Sequence, residues 1–506
     1  MKKINHKILL GVFVCFFLFE LSACSKDSSS QEVVTVEVPK TLSASTEKIE
    51  FESKTSSFDI TINTDADAWA ISSSDTNWIT FSKMSGIKGA SVVKITVSEN
   101  SDTSIRSAIV IINANKVSPV KISITQKGVA IVSGEFYPSY NTNPITADAA
   151  GMSSTATEIA AKINLGWNIG NSLEATGSET AWGNPKVTKA LIDLVKQSGF
   201  NAVRIPSSWN QYLLNSATAQ IKTEWLDRVK EVIQYCVDND MYVLVNIHWD
   251  GGWLENNVTE AKQVENNAKQ KAFWEQIATH LRDFDEHLLF ASANEPNVED
   301  AAGMAVLNSY HQTFIDAVRA TGGKNAYRTL VVQGASTDIE KTNNLMTTLP
   351  TDKAIDRMMV EIHYYTPWQF TGLTEDTSWG KMAYYWGKDY HSTTDAARNA
   401  TWGEESELDA FFKLMKNQFV NNSIPVILGE FGAIRRTTLT GDNLTLHLNS
   451  RAYYLKHVVK QANANGILPF YWDEGSIDNN GFGIFNRTNN TVFDTQALTA
   501  LQEGLN

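Results

Sequence analysis

The feature that most constrains the fold is a regular alternation, from about Thr155 to Asn506, of short apolar runs with longer stretches of helical periodicity. The apolar runs that qualify as strands lie at 163–167, 202–205, 242–248, 288–294, 329–333, 358–364, 425–429 and 467–472. Helical stretches between them include 188–198, 223–238, 271–284 and 307–321. Eight strands with interposed helices predict an α/β domain built as a (β/α)8 barrel, the TIM-barrel architecture.

An open, doubly wound sheet is the alternative arrangement of these elements. Nucleotide-binding sheets of that kind carry a glycine-rich loop after a strand, and no such loop follows any of the eight runs. The run 425–428 is continuously apolar, as expected for a parallel strand that is buried on both faces. The barrel is therefore the favoured architecture.

Residues 41–127 have a different pattern, in which short alternating or β-branched segments are separated by Ser, Asn, Asp and Gly. The segments are 58–62, 91–97, 108–112 and 120–124. They predict a small antiparallel, immunoglobulin-like β-sandwich. Residues 128–150 lack periodicity and are rich in small and polar residues, which indicates a linker before the barrel domain at 151–506.

The sandwich region carries a set of marker residues, namely Trp69, Trp78, Asn100, Arg106 and Gln126. With them it resembles the BACON domain, an immunoglobulin-like module often found beside glycan-degrading domains. Trp69 and Trp78 have the flat rings that stack on sugars, but we expect both to pack in the core of the sandwich.

The first 24 residues have the composition of a bacterial secretion signal. Lys2 and Lys3 precede an apolar stretch at 8–19 that is too short to span a bilayer as a mature helix. The Leu-Ser-Ala-Cys sequence ending at Cys24 resembles a lipobox, in which that cysteine becomes the lipidated first residue. The alternative is an ordinary signal peptide with an incidental cysteine. We expect residues 25–40 to form a flexible tether, and the protein to be secreted and lipid-anchored at the outer membrane of a Gram-negative bacterium, with the cell surface favoured over the periplasmic face.

Charge and cysteine content exclude several partners. The formal net charge of −13 makes the chain poorly suited to bind nucleic acid. Once the signal is removed and Cys24 is lipidated, Cys236 is the one cysteine left, so neither a disulfide nor a cysteine metal site can form in the mature chain.

Of the 14 tryptophans, 12 follow residue 150, which suits a protein that binds the apolar faces of sugars. We expect a monomer.

Polar residues cluster where the predicted barrel strands end. At the C-terminal ends of barrel strands such residues face the active site, whereas those at the other end serve stability. The residues in question are Arg204, His248, Asn294, Glu295, His363, Tyr365, Glu430 and Trp472. Charged groups that successive strands deliver to one rim indicate a catalytic centre with two glutamates.

The same strand ends carry six motifs of a known enzyme family. They are Gly166-Trp167-Asn168-Ile169-Gly170-Asn171, Gly199-Phe200-Asn201-Ala202-Val203-Arg204-Ile205-Pro206, Asn246-Ile247-His248, Asn294-Glu295-Pro296, His363-Tyr364-Tyr365 and Leu428-Gly429-Glu430-Phe431-Gly432. Asn-Glu-Pro alone recurs by chance, but the whole set in this order, each motif at a strand end, is specific. In these residues the chain resembles glycoside hydrolase family 5, the largest cellulase family.

The resemblance implies roles for both glutamates. Glu295 would be the general acid/base and Glu430 the nucleophile of a retaining glycosidase, which requires carboxyls about 5–5.5 Å apart. Burial and the charge of Glu430 are expected to raise the pKa of Glu295, while Arg204 is expected to hold Glu430 ionised.

The supporting residues take roles by the same resemblance. Asn294 would bond the sugar 2-hydroxyl, and Tyr365 would reach the nucleophile. His248 and His363 would shape the subsite, the alternative being that they are hydrogen-bonded core histidines. No His-x-x-x-His pair supports a metal site, and nothing in the sequence points to a cofactor.

Four tryptophans are candidates for contact with the sugar chain. Trp472 would form the floor under the sugar being cleaved. Trp249, Trp253 and Trp368 would be platforms further along the cleft, or else merely packed. Trp249 occupies a position where many relatives have a second histidine, so the neighbouring subsite differs from theirs in detail.

The stretches 363–370 and 429–433 look closest to family members that act on β-1,4-glucans, including xyloglucan and mixed-linkage glucan. The open clefts of the family imply endo cleavage, and loops such as 373–400 would decide whether side chains are tolerated. Two alternatives remain. Mannanases share the catalytic set, and a barrel that has lost activity could serve as a glycan-binding lipoprotein, although both glutamates are present. A Gly-x-Ser-x-Gly elbow, the mark of many esterases, is absent from the sequence.

Overall fold

A computed structural model describes residues 40–100, 105–128 and 136–506. The predicted signal segment with Cys24, and the predicted tether up to residue 39, lie outside the described residues. The chain forms two compact units, and the boundary between them falls between Lys127 and Gly128. In the ranges given, no helix combines the length and the apolar composition needed to cross a membrane.

The first unit consists of strands. They are β1 (Leu42–Ala44), β2 (Lys48–Phe51), β3 (Ser56–Ser73), β4 (Ile79–Phe81), β5 (Ser85–Val97), β6 (Arg106–Ala114) and β7 (Val120–Gln126). Their order in the sheet is β2-β7-β6-β3-β5-β4, and β1 pairs with β3. The long strand β3 pairs with both β5 and β6 and so connects the strands on either side of it. The all-β prediction is confirmed. The strictly antiparallel prediction is wrong at one edge, where β2 and β7 run parallel.

Both tryptophans of this unit belong to its core, as expected. Trp69 is 2% exposed and Trp78 is 5% exposed. The Trp78 indole donates to Asp75, and the Arg106 guanidinium lies 4.5 Å from the centre of the Trp78 ring. Neither ring is available as a sugar platform.

The second unit is a closed barrel of eight parallel strands. They are β8 (Gly166–Ile169), β9 (Ala202–Ile205), β12 (Tyr242–Asn246), β13 (Leu288–Ala291), β14 (Leu330–Gln333), β15 (Met358–Tyr364), β16 (Val426–Phe431) and β17 (Ile467–Asp473), with the hairpins β10 (Leu213–Asn215)–β11 (Gln220–Ile221) and β18 (Phe485–Asn486)–β19 (Thr491–Val492) in loops. The barrel prediction is confirmed. The first strand starts at Gly166 rather than at 163. Strands β12 and β13 are shorter than predicted and end at Asn246 and Ala291, because the residues that follow turn into the rim loops.

Helices surround the barrel. They are α1 (Ala156–Ala160), α2 (Lys189–Gln197), α3 (Thr223–Val237), α4 (Glu260–Leu281), α5 (Ala301–Ala320), α6 (Ile339–Leu345), α7 (Trp368–Thr371), α8 (Glu405–Gln418), α9 (Gly441–Ala464) and α10 (Thr495–Glu503). The apolar side chains Ala156 and Ile159 of α1 join the cluster inside the barrel. That cluster fills the interior near the N-terminal ends of the strands, so functional groups can meet only at the rim formed by the C-terminal ends.

The second half of the predicted linker is attached to the barrel unit. Ser139 and the backbone of Tyr140 donate to the Glu275 carboxylate, and Asn141 donates to the Ala320 carbonyl. These hydrogen bonds fasten residues 136–150 to helices α4 and α5.

Candidate active site

Four strands deliver charged side chains to one cluster at the C-terminal rim. Arg204 comes from β9, Glu295 follows β13, His363 is on β15, and Glu430 is on β16. Arg204 is completely buried, and His363 and Glu430 are each 6% exposed. The Glu295 side chain, in contrast, is 45% exposed and opens to the cleft.

Arg204 is the hub of this cluster. Its Nη1 donates to Glu430 Oε1 at 2.8 Å and to Asn168 Oδ1 at 3.0 Å, and its Nη2 donates to Asn294 Oδ1 at 2.8 Å. Its Nε lies 2.8 Å from Glu361 Oε1 in a fully buried ion pair. One guanidinium therefore fixes the orientation of both Glu430 and Asn294.

The two candidate catalytic carboxyls lie close together. His363 Nδ1 is 2.7 Å from Glu295 Oε1 and 3.8 Å from Glu430 Oε2. One oxygen of each glutamate and a nitrogen of this histidine all lie within 4.8 Å of one another. Inverting glycosidases need about 6.5–9.5 Å between their carboxyls to admit a water, and retaining enzymes need about 5–5.5 Å. The spacing here is that of a retaining site.

The backbone of β16 shifts its register where the Glu430 carboxylate enters the site. The pairing with β17 is irregular between Leu428 and Phe431, and the pairing with β15 shifts between Ile362 and His363. Such bulges redirect side chains beside active sites. The Tyr365 hydroxyl then donates to Glu430 Oε2 at 3.1 Å, so both carboxylate oxygens have a donor.

The charge distribution differs from the sequence-based expectation. Burial disfavours a charged His363, but the charge of Glu430 and hydrogen bonds to Glu295 and Glu361 outweigh it and raise the pKa of the imidazole to about 10. Burial opposes ionisation of Glu295 too, yet the hydrogen bond and charge of His363 hold its pKa below the usual range. Burial raises the pKa of Glu430 against the effects of His363 and Arg204.

The expectation that burial and the charge of Glu430 raise the pKa of Glu295 is therefore wrong. The raised pKa of His363 and the lowered pKa of Glu295 favour an imidazolium paired with a carboxylate across their 2.7 Å hydrogen bond. The reason is that His363 lies among three carboxylates, one of which, Glu361, the sequence analysis had not considered.

Two buried glutamates of the site were missed by the sequence analysis. Glu361 is completely buried, two residues before His363 on β15. Glu255 accepts the backbone N–H of Glu295 at 2.9 Å, and burial raises its pKa to about 7. A charged residue inside a buried strand was a signal that could have revealed Glu361. Glu255 lies in a rim loop, where no periodicity singles it out.

The sequence-predicted sugar-contact residues divide into two groups. Trp472 lies parallel to His248, with ring centroids 6.0 Å apart and planes 5° apart, and Trp249 and Trp368 are 43% and 45% exposed at the rim. Trp253 instead packs edge-on against Phe273 and donates to Asp250. These contacts of the partly buried ring favour the packing alternative for Trp253. Exposed tryptophans that the sequence analysis did not select are Trp182, Trp379 and Trp402.

The pKa of His248 is shifted in the opposite direction to that of His363. Burial, together with the positive charges of Arg204 and His363, lowers its pKa well below the usual range, so the ring is neutral. Its Nδ1 lies 3.3 Å from the Asn246 amide. A neutral, stacked imidazole can hydrogen-bond a sugar hydroxyl without adding charge.

Within the described part of the chain, Glu295, His363 and Glu430 form the group whose ligand atoms come close enough to suggest a cation site. Their spacing argues against that role. The 2.7 Å between His363 Nδ1 and Glu295 Oε1 is a charge-assisted hydrogen bond, whereas two ligands of one tetrahedral zinc ion lie about 3.3 Å apart.

Comparisons with known proteins agree with this geometry. The family model described as Cellulase (glycosyl hydrolase family 5) matches residues 168–477, and the BACON model matches residues 67–127. A xyloglucan-specific endo-β-1,4-glucanase of Bacteroides ovatus is 36% identical over 90% of this chain and 90% of its own length. An endoglucanase A of Paenibacillus barcinonensis is 35% identical over 76% of this chain and 98% of its own length.

Solved structures give the same result. The Bacteroides ovatus family 5 xyloglucanase in complex with a XXXG heptasaccharide matches with a TM-score of 0.68 and 33% identity, over 92% of this chain and 99% of that one. A broad-specificity endoglucanase from Ruminococcus champanellensis with bound cellotriose matches with a TM-score of 0.60 and 34% identity, over 69% of this chain and 98% of that one.

Proposed function

The chain belongs to glycoside hydrolase family 5, the cellulase family, and on that premise we propose that it is a retaining endo-β-1,4-glucanase that cleaves the backbone of xyloglucan and related β-glucans. The observation that carries the proposal is that one carboxylate oxygen of Glu295 and one of Glu430 lie within 4.8 Å of each other. That spacing suits double displacement.

In the first step a Glu430 oxygen attacks the anomeric carbon, and the bond from that carbon to the leaving oxygen breaks. Glu295 gives its proton to that oxygen. Arg204 and Tyr365 hold the Glu430 carboxylate, so its attacking oxygen is already oriented when the sugar arrives. Arg204 holds the Asn294 side chain, and this amide would bond the 2-hydroxyl of the sugar.

The proton reaches Glu295 when substrate binds. A sugar in the cleft removes water from the exposed Glu295 carboxyl, and this desolvation favours its neutral form. Glu295 then receives its proton either from His363 Nδ1, across the 2.7 Å hydrogen bond, or from solvent. In the second step Glu295 takes a proton from water, which attacks the glycosyl-enzyme and releases Glu430.

Xyloglucan is the proposed polymer for two reasons. The Bacteroides ovatus relative that spans 90% of this chain is xyloglucan-specific by name, and the rim of this chain exposes aromatic rings suited to a long, branched glycan. Trp379 and Trp402, on the segment between α7 and α8, are 62% and 45% exposed.

We expect purified residues 41–506 to release oligosaccharides from tamarind xyloglucan, and from barley β-glucan or carboxymethylcellulose at lower rates. Galactomannan should remain intact, because its axial 2-hydroxyl would meet Asn294 differently. Chromatography of the products from all four polymers provides the measurement. Release from galactomannan alone would replace the glucanase proposal by mannanase activity. Binding without hydrolysis of any polymer would replace it by glycan capture.

We further propose that the enzyme acts as a monomer, because one chain supplies every group of the cluster described above.

We also propose that lipid on Cys24 holds the enzyme at the outer membrane. Cys24→Ser should move the full-length protein from the membrane fraction to the soluble fraction of the producing cell, while specific activity is retained. Cell fractionation with immunoblotting measures this. An unchanged membrane fraction for Cys24→Ser would refute the lipid anchor.

A further inference from the structure

A third carboxylate lies beneath the catalytic pair without reaching the cleft. Glu361 is completely buried, so it cannot touch a sugar. Its Oε1 lies 2.8 Å from Arg204 Nε and 3.3 Å from His363 Nε2, and its Oε2 accepts a 2.6 Å hydrogen bond from Gln333. Ionised carboxylates of this kind are buried only where they are paired and hydrogen-bonded.

The strand next to Glu361 leaves space for this carboxylate. A Cβ at Gly429, the residue before the nucleophile, would lie 2.0 Å from Glu361 Oε1. Any side chain at Gly429 would therefore displace the carboxylate. On its own strand, Glu361 is two residues from His363, so both side chains point to the same face of β15.

The imidazole of His363 consequently has an acceptor at each nitrogen. Nδ1 meets Glu295 Oε1 at 2.7 Å, and Nε2 meets Glu361 Oε1 at 3.3 Å. A neutral ring can donate from only one nitrogen, whereas an imidazolium donates from both. Two carboxylate partners thus favour the charged ring and fix its plane.

We propose that Glu361 is a positioning residue that holds the His363 ring against Glu295 and keeps a proton at that pair for glycosidic cleavage. It acts through His363 and does not contact substrate. This inference rests on the proposed hydrolysis and adds to it a control of the pH range.

The expected effect follows from charge. The titratable and charged groups facing the His363–Glu295 pair are Arg204 from β9, His248 after β12, Glu255 from the following loop, Glu361 and Tyr365 of the β15 segment and Glu430 from β16. Removal of the negative charge of Glu361 lowers the affinity of the coupled His363–Glu295 pair for the proton that the two residues share, whichever of them holds it. The alkaline limb of the kcat/KM profile reports loss of that proton and should move to lower pH.

The test compares the pH profiles of Glu361→Gln, Glu361→Asp and the wild type on an aryl β-cellobioside. In Glu361→Gln we expect the alkaline limb to move down by about one pH unit or more, kcat to fall about tenfold, and KM to stay within about twofold. Glu361→Asp keeps the charge and should keep the limb near that of the wild type. Glu286→Gln is the control, because that partly buried carboxylate, paired with Lys162, lies before the N-terminal end of β13 and should leave the profile unchanged.

A Glu361→Gln profile with wild-type limbs, whether or not the rate falls, would overturn the inference. If that variant does not fold, NMR titration of the wild-type His363 ring replaces it, and a ring that is neutral at pH 7 would likewise overturn the proposal. Both results leave hydrolysis by the wild type intact. Failure of the proposed function would instead appear as a wild type that is inactive on every glucan.

Discussion

Replacing Glu430 by Gln should reduce kcat/KM on polysaccharide by a factor on the order of 10⁴–10⁶, the scale of losing a catalytic nucleophile. The amide cannot form the glycosyl-enzyme. It is otherwise close in shape to the carboxylate, and its oxygen can still accept from Arg204. Because the buried Arg204 also keeps its ion pair with Glu361, the variant should fold. Hydrolysis rates and thermal unfolding, compared with those of Glu286→Gln, separate chemistry from stability.

The product formed on chemical rescue identifies the role of Glu430. In Glu430→Ala, azide can enter the space left by the side chain and attack the anomeric carbon once. With an aryl β-cellobioside we therefore expect an α-glycosyl azide. A β-glycosyl azide, or residual polysaccharide cleavage above about one part in a hundred of wild type, would contradict nucleophilic catalysis by Glu430.

Glu295→Ala should lower kcat/KM on polysaccharide by about 10²–10⁴, the range of general acid–base catalysis. The loss should be much smaller for the first step on an aryl glycoside with a good leaving group, since that group departs without a proton. Glycosyl-enzyme would then accumulate because no base activates water, and stopped-flow measurement should show a burst of released phenol.

Azide again provides the discriminating product for Glu295→Ala. It should replace water in the second step and give a β-glycosyl azide, the opposite anomer to that from Glu430→Ala. An equal loss on both kinds of substrate, with no burst, would contradict the acid/base role of Glu295.

The fold could be predicted from the sequence where burial imposes a pattern. The strands Ala202–Ile205 and Met358–Tyr364 were located to the residue, because buried parallel strands are rich in apolar residues even where Arg204 or Glu361 interrupts the run. In the β-rich unit the parallel contact of β2 with β7 was missed, since alternation fixes the faces of a strand but not its direction.

The site was predictable where polar residues end or directly follow a strand, and not inside a strand or further along a rim loop. The geometry brings Arg204, Glu295 and Glu430 together as their positions implied, and it adds Glu361, which the family motifs do not include. The position of the proton depends on distances among side chains from four strands. That information is absent from any one segment, which explains the incorrect pKa expectation for Glu295. For a similar reason the sequence left open whether Trp253 packs or binds sugar, since its contact with Phe273 joins a rim loop to α4.

The most direct test of the account is the configuration of the sugar at the moment it is released. Proton NMR of cellopentaose during hydrolysis distinguishes the new β-anomer from the α-anomer before mutarotation mixes them. Because one oxygen of each glutamate lies within 4.8 Å of the other, we predict that the β-anomer appears first and the α-anomer later. Initial release of the α-anomer would mean inversion, and it would contradict the assignment of Glu430 as a nucleophile that forms a covalent intermediate.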